Sequence, residues 1–137
     1  MEDAPKEVVM EGNPSPSRSP VTLFLCGDVM TGRGIDQILP CSVDPVLYES
    51  YVKDARDYVR LAERENGEIA QPVDPFYIWG EALEVWERMD PDLRLVNLET
   101  SITTNPEPWP QKGIHYRMHP GNVEVLTAAG IDFCSLA

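Results

Sequence analysis

Apolar residues cluster in short runs that predict the strands of a sheet. Residues 21–26 (VTLFLC) are almost wholly apolar, which is typical of a strand buried on both faces of a parallel sheet. Residues 93–98 are the next predicted strand, and residues 131–136 are predicted to form a final, buried strand. Residues 114–118 instead alternate apolar and polar side chains, the period of a half-exposed edge strand.

Between these runs, apolar residues recur at spacings of three and four, the period of an amphipathic helix. The spacing predicts helices over 44–67 and 74–90, each opened by an Asp-Pro pair that suits a helix start. A third helix is predicted over 120–129, stopped by Gly130. The order of elements predicts an α/β fold with a layered, mainly parallel sheet flanked by helices.

Composition narrows the classes of partner. The 137 residues carry 11 Lys and Arg against 23 Asp and Glu, a net charge of −12. Phosphate groups would be repelled, so we expect no nucleic-acid partner and no anionic membrane surface. A hydrophobic content of 42% suffices for one packed domain over residues 21–137.

The ends of the chain and its cysteines bear on compartment. Residues 1–20 are rich in Pro and charge, lack the apolar stretch of a signal peptide, and are expected to form a disordered tail. No run is long enough to span a membrane. Cys26 and Cys134 lie in apolar runs and are expected to be buried thiols, with no metal-binding spacing. We therefore expect a cytoplasmic protein, and a fragment of a longer one, because the last predicted strand runs to the final residue.

Polar side chains follow the first two predicted strands. Asp28 comes after the first, and Asn97 and Glu99 end the second. The carboxyl ends of parallel strands are where open α/β sheets collect ligands, and oxygen donors suit a hard divalent cation. The alternative is that Asp28 caps a turn and Glu99 forms a surface ion pair.

Basic side chains form a second candidate site. Arg33 lies in a glycine-containing loop that could approach an anion, or it is a solvated side chain on a flexible turn. His115 and Arg117 share one face of the predicted edge strand and could bind an anionic substrate or supply an acid/base group. The alternative is that they belong to the ordinary exposed polar face of an edge strand. His119, directly before Pro120, is expected to cap the following helix.

Four segments in register resemble the bacterial CapA family of capsule or poly-γ-glutamate biosynthesis proteins. They are LCGDVM (25–30), DLRLVNLET (92–100), KGIHYRMHP (112–120) and LTAAGID (126–132). The resemblance implies a fold like that of the calcineurin-type metallophosphoesterases. The helical stretch at about 44–90 is an insertion relative to short family members, and an Asn-Asn-His segment follows in the family where this chain stops.

The resemblance also implies site residues. Asp28, Asn97 and Glu99 match positions of metal ligands, implying a divalent metal ion (Mn, Zn, Fe or Mg). Arg33, His115 and Arg117 would contact an anionic polymer or a small anionic substrate.

The implied function is metal-dependent hydrolysis in capsule or poly-γ-glutamate metabolism by the full-length form. The alternatives are a non-catalytic accessory or scaffold subunit with polymer-synthase partner proteins, and a non-functional truncated fragment.

Overall fold

The computed structural model describes residues 19–136, so most of the predicted disordered tail lies outside the described residues. Five strands and four α-helices follow in the order β1 (Leu23–Val29), α1 (Gly34–Ile38), α2 (Arg56–Asn66), α3 (Ala82–Met89), β2 (Leu93–Leu98), β3 (Ser101–Ile102), β4 (Arg117–Met118), α4 (Glu124–Ala128) and β5 (Phe133–Leu136). Short 3-10 helices cover Tyr77–Trp79 and Pro120–Asn122.

The central sheet has three parallel strands in the order β1-β2-β5. Its register pairs Leu25 with Leu95 and Leu95 with Phe133. The α/β class and the mainly parallel sheet are therefore confirmed. The predicted edge strand at 114–118 is reduced to β4, which pairs in parallel with β3 in a separate two-stranded sheet.

The sequence prediction starts the first long helix at residue 44, about three turns before the helix begins in the structure. Residues 44–55 are irregular, and α2 starts at Arg56. The Asp44 carboxylate accepts from the backbone N–H of Val46, which closes a local turn, whereas the Asp54 carboxylate accepts from the N–H of Arg56. The Asp54 hydrogen bond therefore closes a turn around Ala55, the N-cap residue directly before the helix.

The second predicted helix is broken in the middle. Asp74 accepts from the N–H groups of Phe76 and Tyr77, as a helix start requires, but only a 3-10 turn follows. Gly80 then takes a positive φ of 49°, which ends that turn before α3 begins. Of the helices within residues 19–136, none is long and apolar enough to cross a membrane.

The third predicted helix is shorter than expected but ends as predicted. Residues 120–122 form the 3-10 turn and α4 occupies 124–128. Gly130 follows with a φ of 63°, a conformation that glycine adopts without strain.

The core lies on one side of the central sheet. Val96 and Leu98 of β2 are almost fully buried, and Leu98 belongs to a cluster with Met118, Val125 and Leu126. Trp86 of α3 packs its ring edge-on against Phe24 of β1, with ring centroids 4.9 Å apart. The helices and loops thus cover this face of the sheet, which we call the covered face.

The prediction that the first strand is buried on both faces is wrong for the described residues. Leu23 and Leu25 of β1 point to the opposite side of the sheet, and both are exposed. Cys26 is exposed as well, which corrects its predicted burial, whereas Cys134 is half-buried. The apolar run reflects a strand whose second face has no cover within residues 19–136.

Candidate functional site

Asp28 and Asn97 meet at the carboxyl edge of the central sheet. Asp28 has a positive φ of 51°, and the β1–β2 register shifts between Cys26 and Val29. The Asn97 amide Nδ2 donates to Asp28 Oδ1 at 3.2 Å, and the Ser135 hydroxyl donates to Asn97 Oδ1 at 2.9 Å. Side chains from all three strands are therefore linked at the edge that the sequence indicated.

Glu99 follows this edge but does not join the cluster. Its backbone N–H donates to the carbonyl of Val29, and its carboxylate has no hydrogen bond or ion pair with any residue in 19–136. Over the same stretch, no group of three or more His, Cys, Asp or Glu side chains is arranged to hold a metal ion. Asp28 and Asn97 thus supply oxygen donors for part of a cation site, and these residues alone do not form a complete one.

The three predicted substrate-binding residues line one cavity. Arg33, His115 and Arg117 all border a cavity of about 470 Å³. Ser101, two residues after Glu99, also lines it, so the cavity lies close along the chain to the carboxyl edge of β2. The sequence prediction that these basic residues share one site agrees with this placement, while their role in binding stays a prediction.

Arg33 is held by contacts inside the protein. Its Nε lies 2.6 Å from Glu49 Oε1, an ion pair without hydrogen-bond alignment, and its Nη2 donates to the Tyr116 hydroxyl at 2.6 Å. The guanidinium also lies over the rings of Tyr116 and Tyr58, at 4.2 Å and 5.2 Å from their centroids. Its charge is therefore largely compensated, and the residue fixes a wall of the cavity.

The partner of Arg33 is itself part of a buried network. Tyr58 donates its hydroxyl to Glu49 Oε2 at 2.6 Å. Burial, followed by the hydrogen bond to Glu49, raises the pKa of Tyr58 above its ordinary value, so the hydroxyl stays protonated as a donor. Glu49 can be buried because the hydrogen bond from Tyr58 and the ion pair with Arg33 compensate its carboxylate, which the sequence alone does not reveal.

Unlike the guanidinium of Arg33, that of Arg117 is held by neutral backbone groups. Its two Nη atoms donate to the backbone carbonyls of Asn105 and Asp44, at 2.7 Å and 3.0 Å. Within residues 19–136 no carboxylate pairs with it. Gly32 makes this arrangement possible, since a Cβ there would lie 2.9 Å from the Arg117 carbonyl oxygen. The cavity wall therefore carries a guanidinium without an ion-pair partner among the described residues, while the carboxylate residues Asp44 and Glu107 border the same cavity.

His115 lies against aromatic and backbone groups of the same cavity. Its Nε2 is 3.1 Å from the carbonyl oxygen of Trp109, and its ring stands edge-on to Tyr48 at 5.4 Å between centroids. Its Nδ1 is buried without a partner among the described residues. His119 has a different role: its Nδ1 accepts from the N–H of Gly121, which confirms the predicted cap.

Sequence reasoning missed several residues of this region. Lys112, Tyr48 and the 76%-exposed Trp109 also line the cavity, and the Pro-rich context of Trp109 was the available signal. Asp36 is fully buried and accepts from the N–H groups of Val43 and His119 and from the Asn122 amide. Asp36 thus joins the segment at Val43 to the segment at residues 119–122. In the sequence it is a single charge within a short apolar stretch, which gives no sign of this role.

The comparisons with known proteins place this region in a family. The model of the bacterial capsule synthesis protein PGA_cap matches residues 22–137. Two Mycobacterium tuberculosis proteins, of strains CDC 1551 and H37Rv, are each 53% identical to this chain over 128 residues, or 93% of it. Both are named "Probable polyglutamine synthesis accessory protein", and the chain spans only 33% of their length.

No solved structure matches the chain, so the expected likeness to the metallophosphoesterase fold remains a prediction. The family match covers the four segments that carry the CapA resemblance, together with both candidate sites. The chain belongs to the PGA_cap family of bacterial capsule synthesis proteins.

Proposed function

We propose that this chain binds the anionic polymer of capsule or polyglutamate synthesis in the cavity that Arg117 borders, as part of an accessory protein. The observation that carries the proposal is the state of Arg117, whose donors meet backbone carbonyls but whose charge meets no carboxylate in residues 19–136. A guanidinium in this state retains its attraction for a carboxylate group of a ligand.

The surroundings of Arg117 support the same proposal. Lys112 and His115 border the same cavity, and Arg33 is braced so that it holds the wall in place. The chain as a whole carries a charge of −12, whereas Arg33, Lys112 and Arg117 border this cavity together with two acidic residues, Asp44 and Glu107, so the charge is more balanced there than over the whole chain. The named role of the mycobacterial relatives, as accessory proteins, supports a polymer-synthase partner and a role in binding.

A titration with short γ-linked glutamate oligomers tests the proposal, with glutamine oligomers of equal length as the neutral control. Binding is measured by calorimetry and by the fluorescence of the exposed Trp109. Lys112→Gln and Arg117→Gln should each weaken binding about tenfold, since a charge-assisted hydrogen bond contributes on the order of 1.5–3 kcal/mol. Arg64→Gln, on the exposed surface of α2, is the matched control and should bind as the wild type does.

Two results would contradict this proposal. Equal affinity for the glutamate and glutamine oligomers would show that charge is not recognised. Unchanged affinity in both Lys112→Gln and Arg117→Gln would show that the oligomer binds elsewhere. Because Arg117 also holds two loops by hydrogen bonds, Lys112→Gln is the variant that separates loss of charge from loss of structure.

A second candidate function is metal-dependent hydrolysis, favoured by the contact between Asp28 and Asn97 at the carboxyl edge. In this proposal Asp28, Asn97 and Glu99 contribute oxygen ligands to a divalent cation completed by further donors. Such a cation would supply activation of water and neutralisation of developing charge. The chain's own contribution is to hold Asp28 at the edge through the amide of Asn97.

Titration of the protein with Mn²⁺, followed by electron paramagnetic resonance, tests this second function. Asp28→Ala and Glu99→Ala should each lower the affinity for Mn²⁺, while Glu65→Ala, an exposed carboxylate on α2, should leave it unchanged. Unchanged affinity in both edge variants would refute the metal role of these residues.

A further inference from the structure

The central sheet carries an apolar surface that nothing covers within residues 19–136. Five side chains share this surface, which we call the bare face, and each keeps between 36% and 66% of its area exposed. They are Leu23, Leu25, Leu93, Leu95 and Phe133. The strand register places them side by side, with Leu23 beside Leu93 and Leu95 between Leu25 and Phe133.

This exposure is unusual for the kind of sheet that carries it. Parallel sheets are almost always covered on both faces, whereas antiparallel sheets tolerate one solvated face. The outward positions of a solvated face normally hold polar residues, yet all five here are large and apolar. A contiguous apolar patch of this kind marks an interaction surface.

We propose that the bare face is an interface for a covering layer of polypeptide, the counterpart of part of the two thirds of the mycobacterial relatives that this chain does not match. Those relatives are three times as long as the matched region, so they contain ample chain for a further layer. At 53% identity over the matched region, they build the same sheet and have the same face to cover.

The alternative of a second copy of this chain is less favourable for two reasons. Each copy carries a charge of −12, so two copies brought face to face repel one another. The five side chains expose roughly 500 Å² in total, below the ~800 Å² per partner that a stable interface between separate proteins usually buries. A layer within one polypeptide needs less area, because its association costs no translational freedom.

The covering layer also reaches the candidate site. Asn97 and Ser135 continue the alternation of Leu95 and Phe133, so their side chains belong to the same face at its carboxyl end. A layer that buries the leucines therefore extends over the hydrogen-bonded group of Asp28, Asn97 and Ser135. The face is apolar along most of its length and polar only where it meets this edge.

Hydroxyl-radical footprinting of two intact proteins tests the proposal: this chain and the full-length H37Rv relative. Oxidation is read in the peptides that match β1, β2 and β5 and is normalised to the intrinsic reactivity of each side chain. We expect these positions to be oxidised about tenfold less in the relative than in this chain, because a covering layer excludes solvent from them. The position that matches Leu61, an exposed leucine on α2, should react equally in both.

Equal oxidation of the sheet peptides in the two proteins would overturn the proposal.

Sedimentation velocity of this chain over a range of concentrations is the second experiment, with Leu25→Asp and the matched control Leu61→Asp. A monomer at all concentrations supports the proposal. A dimer that Leu25→Asp dissociates and Leu61→Asp does not would assign the face to a second copy instead, and would overturn it.

Discussion

The two faces of the central sheet are built from alternating residues of the same strands, yet their surroundings differ. On the covered face, Val96 has no exposed area and lies between Cys26 and Cys134 in the register. On the bare face, its neighbour Leu95 lies between Leu25 and Phe133, and both flanking side chains are largely exposed. Adjacent residues of one strand therefore have different energetic roles.

The difference teaches that an apolar residue in a strand need not be buried by the part of the chain that surrounds it here. Its apolar character can also reflect a contact with polypeptide outside the described residues. Covered positions stabilise the fold described here through buried area and dispersion contacts. Bare positions leave apolar area in water, and that area becomes favourable only when a layer is placed on it. Paired substitutions on the covered and bare faces measure how strongly the two differ in their contribution to stability.

The largest difference is expected between a charge introduced on the covered face of β2 and one introduced on its bare face. Val96→Asp buries a carboxylate with no partner and should lower the free energy of unfolding by about 3–5 kcal/mol or prevent folding. Leu95→Asp, one residue away, should cost about 1 kcal/mol or less because water can solvate its carboxylate. Urea unfolding followed by circular dichroism measures both. Similar losses in the two variants would mean that the bare face is packed in solution.

The tryptophans give the next comparison. Trp86 is buried and packs on Phe24, so Trp86→Ala should lower the free energy of unfolding by about 3–5 kcal/mol. Trp109 is exposed beside the cavity, and Trp109→Ala should change it by about 0.5 kcal/mol or less. The same unfolding measurement serves both variants. A large loss for Trp109→Ala would show that the cavity wall contributes to the core.

A smaller effect is expected from one hydrogen bond on the covered face. The Trp79 indole Nε1 donates to the carbonyl oxygen of Val125 at 2.7 Å and so joins the 77–79 turn to α4. Trp79→Phe keeps an aromatic ring but leaves that carbonyl without its donor, at a cost of about 1–2 kcal/mol. Trp109→Phe is the control and should have no measurable effect. A neutral Trp79→Phe would show that water replaces the indole at this carbonyl.

The parallel sheet was open to sequence reasoning because its strands depend on local patterns. The runs at 93–98 and 131–136 are short and apolar, and the chain between them is long enough for one helix, which favours a parallel pair. The meeting of Asp28 and Asn97 followed from the same logic, since both stand at carboxyl ends of neighbouring strands.

The start of α2 was not predictable in this way, because a tertiary contact overrides the local signal. Asp44-Pro45 has the composition of a helix start, yet the chain after it bends so that Glu49 can reach Arg33 and Tyr58. That bend is fastened by the Ala55 N–H, which donates to the Pro45 carbonyl. Partners nine or more residues apart determine it, and no periodicity within residues 44–55 records them.

The smallest effect concerns how far the cover extends across the sheet. Cys26 and Cys134 occupy equivalent positions on the two outer strands, on either side of Val96, but Cys26 is exposed and Cys134 is half-buried. Burial raises the pKa of the Cys134 thiol, which lowers the fraction of reactive thiolate near neutral pH. In the background of Cys41→Ser, we therefore expect iodoacetamide to modify Cys26 about tenfold faster than Cys134.

The pH dependence of the same reaction shows whether Cys134 reacts slowly because burial raises its pKa or only because its neighbours block the reagent. Because the folded protein favours the neutral Cys134 thiol, its rate should go on rising with pH beyond the range of an ordinary thiol. Mass spectrometry of the peptides that contain Cys26 and Cys134 in the Cys41→Ser variant measures the two rates separately. Equal rates at all pH values would mean that the cover extends over β1 as well as β5, and that the covered face continues to the edge of the sheet at Cys26.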